Sequence, residues 1–401
     1  MKTIPVLTLL VTLSQALAGS DEFSSPAALG AGNAHDLAID SQRRRLHLVY
    51  LDVDDAALFY RTGTVDGSFG KPELVARARP GKQLCYPRIA LDSRGTPHVV
   101  MGEGKDNRRD AAARAELSLY SNRLPGHWKP ASTVFSAEEE KAPWVNFPTL
   151  AIDDDGTVFI GTKTYSPVLS KLARLEDAAT TPRVAAKADL HIGALNLFTL
   201  DGKLLALGGH KGTWHATTID KDRLAPLGEP LLIARGEFSE QMRAYADGTG
   251  DVHIAFGPHS AGSSPGFYHT ISRVQKNLPP IRYATTNTHH SGNGRVVRDA
   301  RHPDRVYVFH WSGAAGDKHG VYNQFCVPDN RVHFVRIENG RKMSELRPIT
   351  DRPGSHGASY RNQPSAVAHP DGGAIVVFTE CSPDGARGLW LTTIGERKPA
   401  R

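Results

Sequence analysis

The sequence has few cysteines and no motif that would give them a local chemical role. Three are present in 401 residues, Cys85, Cys326 and Cys381, and they form neither a C-x-x-C pair nor a set with zinc-ligand spacing. An odd number leaves at least one thiol unpaired, whereas Cys326 and Cys381 lie in the last two repeats described below and are candidates to bridge. We therefore expect buried thiols rather than a catalytic cysteine.

Long apolar runs are also missing after the first 18 residues. No later stretch approaches the roughly 20 apolar residues that a transmembrane helix needs. Residues 1–18 contain Lys2, an apolar run from Ile4 to Leu13 and the small-residue ending Ala16-Leu17-Ala18. This pattern predicts a secretory signal peptide, with an N-terminal membrane anchor as the competing interpretation. We expect a secreted protein without a membrane partner, in which residues 19–401 form one domain.

Long basic runs and calcium loops are absent too. The formal net charge is +6, but no basic run exceeds Arg43 to Arg45, which occupies a predicted hairpin tip. These features argue against a nucleic-acid partner and are compatible with an acidic one. No D-x-D-x-D-G loop occurs, and we interpret Asp153 to Gly156 as a turn. No cofactor is assigned, although a structural divalent cation such as calcium is compatible with the fold predicted below.

The sequence contains one motif that is repeated several times. Residues 146–162 read NFPTLAIDDDGTVFIGT, two short apolar runs joined by an Asp-Gly turn, which is typical of a β-hairpin. Similar hairpins recur about every 50 residues, with turns near Gln42, Arg94, Asp155, Gly202, Gly250, Asp304 and Asp371. Units of about four short strands, repeated seven times, predict a single seven-bladed β-propeller of four-stranded antiparallel blades. A pair of β-sandwiches is the alternative.

Polar side chains gather where the predicted innermost strands begin and where the second strands end. Because the two strands of a hairpin are antiparallel, both positions lie on the same face of the propeller. His47, His98 and His253 alternate within second strands instead, so we expect them to be packed. The candidates on the shared face are His310, His290, His259, Tyr86, Arg88, Arg243, Arg361, Lys163, Tyr165, His210 and Trp311.

Such a set of residues suits cleavage of an acidic polysaccharide by β-elimination. The cations Arg88, Arg243, Arg361 and Lys163 would neutralise a uronate carboxylate. His259 or His310 would remove the adjacent proton, and Tyr86 or Tyr165 would protonate the leaving oxygen. Hydrolysis needs two carboxylates instead, and Glu103, Glu380 and Asp52 are the candidates for a glycoside hydrolase. A noncatalytic propeller that binds a glycan or a protein is the third hypothesis.

The repeats at residues 35–52, 86–102 and 147–162 resemble the BNR-type repeats of secreted propellers. Among these, the chain most resembles seven-bladed polysaccharide lyases such as ulvan lyases and rhamnose-glucuronate lyases. The resemblance implies a cleft with two histidines about twenty residues apart, a spacing that His290 and His310 reproduce, and a tyrosine and an arginine from a neighbouring blade. Tyr86 with Arg88 and Tyr360 with Arg361 are close pairs rather than spaced ones. The complete sialidase Asp-box is not present. From the resemblance we expect an acidic glycan as the substrate, and we expect a monomer.

Overall fold

The chain forms a seven-bladed β-propeller of antiparallel, mostly four-stranded blades, which confirms the fold predicted from the repeats. The computed structural model describes residues 21–105, 114–164, 169–176, 182–190, 192–193, 195–210, 212–236, 244–246, 250–256, 266–283, 289–313, 326–327, 331–344, 347–349, 356–358, 364–381 and 386–396. Strands dominate these residues, and their single helix has five residues.

The first four blades follow one another along the chain. Two strands, β1 (Asp21–Phe23) and β2 (Ala27–Ala31), precede them. Blade 1 contains β3 (His35–Asp40), β4 (Arg45–Leu51), β5 (Ala57–Thr64) and β6 (Glu73–Arg77). Blade 2 contains β7 (Lys82–Leu91), β8 (Pro97–Lys105), β9 (Ala115–Leu124), β10 (His127–Trp128) and β11 (Ser132–Ser136). Blade 3 contains β12 (Val145–Ile152), β13 (Val158–Thr164), β14 (Leu169–Glu176) and β15 (Arg183–Leu190). Blade 4 contains β16 (Leu195–Leu200), β17 (Lys203–His210), β18 (Thr213–Ile219) and β19 (Leu231–Arg235).

The last three blades include the helix and two additional short strands. Blade 5 contains β20 (Ala244–Ala246), β21 (Val252–Phe256), β22 (Phe267–Thr270), the helix α1 (Ile271–Gln275) and β23 (Ile281–Arg282). Blade 6 contains β24 (His289–Arg298), β25 (Arg305–Gly313), β27 (Arg331–Glu338), β28 (Arg341–Lys342) and β29 (Arg347–Pro348). Blade 7 contains β31 (Ser365–Ala368), β32 (Ala374–Cys381) and β33 (Arg387–Glu396), and is extended by β26 (Cys326–Val327) and β30 (His356–Ala358).

The ring is closed by the N-terminal segment, a possibility that the sequence leaves open. Both β1 and β2 pair with β33, so they supply the outer edge of blade 7. In this register Asp21 lies opposite Glu396 and Ala27 lies opposite Leu391. The backbone N–H of Ser24 also donates to the carbonyl of Thr393 at 3.0 Å. Blade 7 is therefore built from the two ends of the described chain.

The apolar core lies between neighbouring blades rather than inside any one of them. Leu48 of blade 1 packs in a cluster with Val377 of blade 7, and Val100 of blade 2 packs in another with Val158 of blade 3. The second strand of each blade is covered on both sides, and β32 is buried along its full length. Burial on both faces explains why these strands are continuous apolar runs rather than alternating ones.

All seven predicted turns connect the first and second strands of a blade. In blade 3 the Asp153 carboxylate accepts the N–H of Thr157 at 2.8 Å, and Gly156 adopts a φ of 83° that the tight turn requires. We call this side of the ring the hairpin-turn face. The opposite side, where innermost strands begin and second strands end, is the strand-start face.

The three histidines expected to be packed are buried, which confirms that prediction. Each forms a hydrogen bond through Nδ1 with the hydroxyl of a tyrosine on the third strand of its own blade. The pairs are His47 with Tyr60 at 2.7 Å, His98 with Tyr120 at 2.6 Å, and His253 with Tyr268 at 2.7 Å. These histidines therefore satisfy buried polar atoms inside blades 1, 2 and 5.

Candidate functional site

Four polar residues occupy equivalent positions on the innermost strands and face the central channel. Asp36, Arg88, Thr149 and Arg295 each lie four residues before the aspartate that begins the hairpin turn of their blade, and all four line one cavity. We call them the channel ring. Since their blades are 1, 2, 3 and 6, ring closure brings Asp36 and Arg88 next to Arg295 although the sequence separates them by more than 200 residues.

The cavity bounded by the channel ring has a volume of about 340 Å³. Its walls are the inner strands of six blades, from the ring position to residues such as Leu91 and Ile152 directly before the turns. It therefore runs along the propeller axis from the channel ring toward the hairpin-turn face. Its volume lies at the lower end of the range of small-molecule sites, about 300–1,000 Å³.

Three members of the channel ring tie neighbouring blades together. The Asp36 carboxylate accepts the N–H of Ile89 at 3.2 Å, and Thr149 Oγ1 accepts the N–H of Leu197 at 3.4 Å. Arg295 donates through Nε to the carbonyl of Ala366 at 3.3 Å, and its Nη2 lies 3.7 Å from Asp36 Oδ1. Arg295 and Asp36 thus form an ion pair that offsets both charges within the channel wall.

Arg88 is the member whose guanidinium is least engaged. Its one side-chain hydrogen bond in the described structure runs from Nη1 to the carbonyl of the adjacent Pro87 at 3.0 Å. Within the described chain no carboxylate lies at ion-pair distance from it. Burial lowers the pKa of Arg88 from its usual value, the Asp36 carboxylate opposes this effect, and Arg295 adds to it. Because Asp36 is paired with Arg295, the charge of the Arg88 guanidinium is not balanced within the channel ring and can pair with an anionic ligand in the cavity.

Tyr86 lies beside Arg88, and its phenol is close enough to interact electrostatically with that guanidinium. The backbone at Tyr86 has a φ of 51°, and the pairing of β7 with β8 shifts register between Cys85 and Arg88. Blade 3 repeats both features, with a φ of 55° at Phe147 and a register shift between Asn146 and Thr149. Non-glycine residues held at positive φ cost about 1–3 kcal/mol each and cluster at functional sites.

The two strained aromatic residues pack against each other across the seam between blades 2 and 3. The ring centroids of Tyr86 and Phe147 are 4.7 Å apart, with planes inclined by 57°. In both blades a proline follows the aromatic residue, giving YPRIALD and FPTLAID. This repeated aromatic-proline pair is the sequence signal that marks the bulges. The bulge allows Tyr86 to face the blade seam while Arg88 faces the channel.

Lys163 is buried at the strand-start end of β13, where 1% of its surface is exposed. Its register partner on β12 is Asn146, whose side-chain carbonyl accepts the N–H of Ala115 at 2.7 Å. The Lys163 backbone therefore belongs to the contact region between blades 2 and 3. The side chain has little surface from which to bind a substrate.

His310 is fully buried, with no surface exposed to solvent. Its ring centroid lies 5.4 Å from that of Tyr283 and 6.2 Å from that of His333. Neither ring nitrogen has a hydrogen-bond partner within the described part of the chain. Burial, with a smaller contribution from His333, lowers the pKa of His310 to about 3. The imidazole is therefore neutral at pH 7 and does not reach a substrate in this conformation.

The remaining sequence candidates are only partly covered by the described structure. The backbone positions of His210, His290 and Trp311 lie in β17, β24 and β25, at or near the strand-start face. His259, Arg243, Arg361 and Tyr165 lie outside the described residues. Tyr86 and Arg88 lie two residues apart on β7, where Tyr86 packs at the blade seam and Arg88 lines the axial cavity. The convergence of the candidates on one site stays a prediction.

The contacts of Glu103 and Asp52, two of the carboxylates considered for hydrolysis, are structural. Glu103 is buried and pairs with Arg79, accepting from the Arg79 Nε and, at 2.9 Å, from the Arg79 backbone N–H. Asp52 caps a turn by accepting the N–H groups of Ala56 and Ala57 at 2.7 and 3.2 Å. Glu380 is buried in β32 of blade 7.

Sequence reasoning did not single out Asp36 and Arg295 as members of a site. The signal for them is positional, since both stand four residues before a turn aspartate, as Arg88 does.

Among the described residues no group of three His, Cys, Asp or Glu side chains is placed to hold a metal ion. Cys381 is disulfide-bonded, whereas Cys85 is buried and not part of a disulfide. The helix in the described chain is far too short to cross a membrane.

The fold and the channel define a seven-bladed propeller with a basic axial cavity. No model of a known protein family matches the chain, and no curated protein matches it. Solved structures with a similar fold include the polysaccharide lyase Uly1, at 10% identity over 92% of this chain and 91% of that one, with a TM-score of 0.47.

Two further similar structures are a thermostable family-43 glycoside hydrolase and an endo-arabinase from Bacteroides thetaiotaomicron VPI-5482. The first has 11% identity, covers 93% of this chain and 95% of its own, and has a TM-score of 0.40. The second has 9% identity, 94% and 98% coverage, and a TM-score of 0.38. All three are carbohydrate-active enzymes, but at these identities and TM-scores their activities do not transfer to this chain.

Proposed function

We propose that this protein is a secreted enzyme that cleaves a uronic-acid-containing glycan by β-elimination. The observation that carries the proposal is Arg88, a guanidinium on the wall of the axial cavity without a carboxylate partner in the described chain. A uronate supplies the missing anion. The net charge of +6 favours an acidic substrate in general, and Arg88 supplies one specific contact with its carboxylate.

The chemistry needs a cation at the position of Arg88. A base removes the proton from C5 of the uronate, the electron pair forms the C4–C5 double bond, and the bond from C4 to the bridging oxygen breaks. The leaving oxygen takes a proton from an acid. Negative charge develops on the carboxylate as an enolate, and a preorganised cation at that position stabilises the transition state more than the ground state.

In this proposal Arg88 binds the carboxylate. Tyr86 is 6% exposed and packs against Phe147, so its side chain turns out of that contact when it protonates the leaving oxygen. The base is a histidine that the sequence predicts at the strand-start face, His290 or His259, because His310 is enclosed. The strained backbone at Tyr86 supports its role, since a bulge next to a site re-aims a side chain.

The test is an absorbance assay for unsaturated uronate on ulvan, glucuronan and rhamnose-capped glucuronate glycans, with products identified by mass spectrometry. We expect wild-type protein to raise the absorbance on at least one substrate, and Arg88→Ala to lower kcat by about 10²–10³. Arg88→Lys should recover part of the activity because it keeps the charge but loses bidentate geometry. Arg223→Ala, at an exposed arginine of blade 4, is the matched control and should keep full activity.

Three results would contradict the proposal. If the absorbance does not change on any uronate polymer, the proposed lyase activity is refuted. Release of reducing sugar without the chromophore, lost in Glu380→Gln, selects a glycoside hydrolase instead. Retention on a glycan array without any product selects a binding protein.

A further inference from the structure

A row of basic side chains lies at the strand-start face of blade 2, outside the axial cavity. It contains Lys82 at the start of β7, Lys105 at the end of β8 and Arg114 directly before β9. These three strands are neighbours in the blade, so the ends that carry the row meet at one edge of the propeller. Lys105 and Arg114 are exposed, and Lys82 is partly exposed. We call these three residues the basic rim.

The register of the strands places like charges against each other. Lys82 is the direct partner of Lys105 in the pairing of β7 with β8. In the next pairing, of β8 with β9, Gly104 lies opposite Ala115. Lys105 and Arg114 adjoin that pair and line one small pocket. Because like charges directly opposite each other in a sheet are destabilising, an anion bound at the basic rim would relieve the repulsion.

Three carboxylates beside the basic rim already have partners within the protein. The pairs are Glu116 with Lys82 at 2.6 Å, Glu103 with Arg79, and Asp55 with the amide of Asn33 at 2.7 Å. Glu103 and Asp55 are also buried. Lys105, by contrast, has no carboxylate at ion-pair distance among the residues that the structure describes. Its charge is therefore placed to pair with an anion from outside the described chain.

Arg114 is held over an aromatic ring of the next blade. Its guanidinium carbon lies 4.7 Å from the ring centroid of Trp144, which directly precedes β12 of blade 3. The adjoining backbone is fixed as well, because the Ala115 N–H donates to the Asn146 side chain at 2.7 Å. On its other side Gly104 packs against the Arg114 carbonyl too closely to leave room for a Cβ. The backbone of Arg114 is thus held between two blades.

Stacking gives this guanidinium a definite binding geometry. Trp144 contacts the flat face of the guanidinium, so the N–H groups of Arg114 point sideways, in the plane of the group. This planar fork of donors matches the paired oxygens of a carboxylate or a sulfate ester. Because the packing already restricts the side chain, binding an anion costs less conformational entropy than it would for an unrestrained arginine.

The basic rim lies further out along the same strand as Arg88. Lys82 precedes Arg88 by six residues on β7, which is about 20 Å at 3.3 Å per residue. A single sugar bound at Arg88 does not extend that far, whereas an oligosaccharide that leaves the axial cavity at the strand-start face does.

We infer that Lys105 and Arg114 form a subsite for a second acidic group of a polyanionic glycan, outside the cavity that holds the first. The acidic group is a carboxylate or a sulfate ester. The inference rests on the proposed function for the direction of the chain from Arg88, but its test does not need lyase activity. The subsite selects chains with several acidic groups over single uronic acids.

The experiment uses glycans that β-elimination does not cleave. Size-matched dextran, carboxymethyl dextran and dextran sulfate share one backbone and contain no uronate. Their dissociation constants are measured by isothermal titration calorimetry at low salt. We expect wild-type protein to bind at least one charged dextran and to bind it more tightly than dextran. Loss of binding only for carboxymethyl dextran in the variants below assigns the subsite to a carboxylate, and loss only for dextran sulfate assigns it to a sulfate ester.

A double variant locates the contact. Lys105→Ala with Arg114→Ala should weaken binding of the charged dextran about threefold to tenfold, as two exposed charge pairs predict. Lys203→Ala with Arg223→Ala removes the same charge from exposed positions of blade 4 on the hairpin-turn face, and should bind as wild type. Both substituted positions of the test variant are exposed, and circular dichroism checks that all variants remain folded.

Trp144 supplies a second test, of geometry rather than charge. Trp144→Phe keeps a ring beneath the Arg114 guanidinium and should bind the charged dextran as wild type does. Trp144→Leu removes the ring and should weaken binding about twofold to fivefold. Equal binding by these two variants would mean that the stacked geometry plays no part.

The inference is overturned if the Lys105 and Arg114 double variant binds the charged dextrans as tightly as wild type. It is also overturned if the blade 4 control loses as much affinity, because the attraction then comes from the net charge of the whole protein. Wild-type protein that binds the charged dextrans no better than dextran overturns it too. If the rim variant loses dextran binding but uronate polymers are not cleaved by wild type, the proposed reaction is refuted and the subsite stands.

Discussion

The buried His310 gives a sharp prediction about stability, because its two ring nitrogens have no partner in the described chain. Replacing it by phenylalanine keeps a ring in the contact with Tyr283 and His333 and removes two unsatisfied polar atoms. Exchange of an unpartnered polar group for an apolar one of similar shape is near neutral or stabilising. We therefore expect His310→Phe to change the free energy of unfolding at pH 7 by less than about 1 kcal/mol.

The pH dependence of stability follows from the same residue. The pKa of His310 is lowered to about 3 and that of buried His47 to about 4, both mainly by burial. A histidine in the unfolded chain titrates near pH 6.5, so below that pH the unfolded state binds a proton at each of these residues and the folded state does not. The contribution of each neutral histidine to the free energy of unfolding is fully present above pH 6.5 and decreases as the pH falls below it. Between pH 7 and 5 each residue contributes a loss of about 2 kcal/mol, about 4 kcal/mol for the pair.

The assay is urea unfolding of wild type and His310→Phe at pH 7 and pH 5, followed by tryptophan fluorescence. The variant should lose about 2 kcal/mol less than wild type over this interval. Its activity should survive, since an enclosed imidazole does not touch substrate. An equal loss in both proteins would refute the account of the pKa, and an inactive but stable variant would return His310 to the catalytic candidates.

Three further predictions concern the fold. Tyr120→Phe removes the hydroxyl that is hydrogen-bonded to His98. It should lower the free energy of unfolding, measured by urea titration, by about 1–3 kcal/mol. A decrease of less than about 0.5 kcal/mol would contradict the role of the pair. Gly373→Ala places a Cβ 1.8 Å from a backbone carbonyl and should prevent stable folding, whereas Gly156→Ala, with a similar φ and open space, should cost only about 1 kcal/mol. Equal melting temperatures for the two glycine variants would refute this. Deletion of residues 1–31 should lower the melting temperature strongly compared with deletion of residues 1–20, and equal values would mean that β1 and β2 add no stability.

The sequence predicts the blades well because each blade is a local structure. Its hairpins use neighbouring residues, and turn residues such as Asp155 and Gly202 mark the connections that the structure shows. The same locality explains the correct prediction for His47, His98 and His253, which bond within their own blades.

The site is predicted less well because it depends on contacts between distant parts of the chain. Arg295 approaches Asp36 only when blade 7 has joined blade 1, and neither residue carries a motif. The sequence pattern points to Tyr86 and Arg88 because two polar residues stand at one predicted strand start, although β7 begins four residues earlier, at Lys82. The burial of His310 was missed, since the residues that enclose it, such as Tyr283, come from the preceding blade and from a later strand.

The shared edge of blade 7 has a consequence for engineering. Asp21 and Glu396 are register partners on adjacent strands, so a short linker joins them without crossing the ring. A circularly permuted chain opened at the Gly156 turn would keep every strand pair, with β12 and β13 no longer joined by their turn, and its new ends would lie at the hairpin-turn face. In that protein blade 3, rather than blade 7, would be assembled from both ends of the chain. The blade that closes the ring is thus set by where the backbone is interrupted, while the seven-fold packing is set by the repeats.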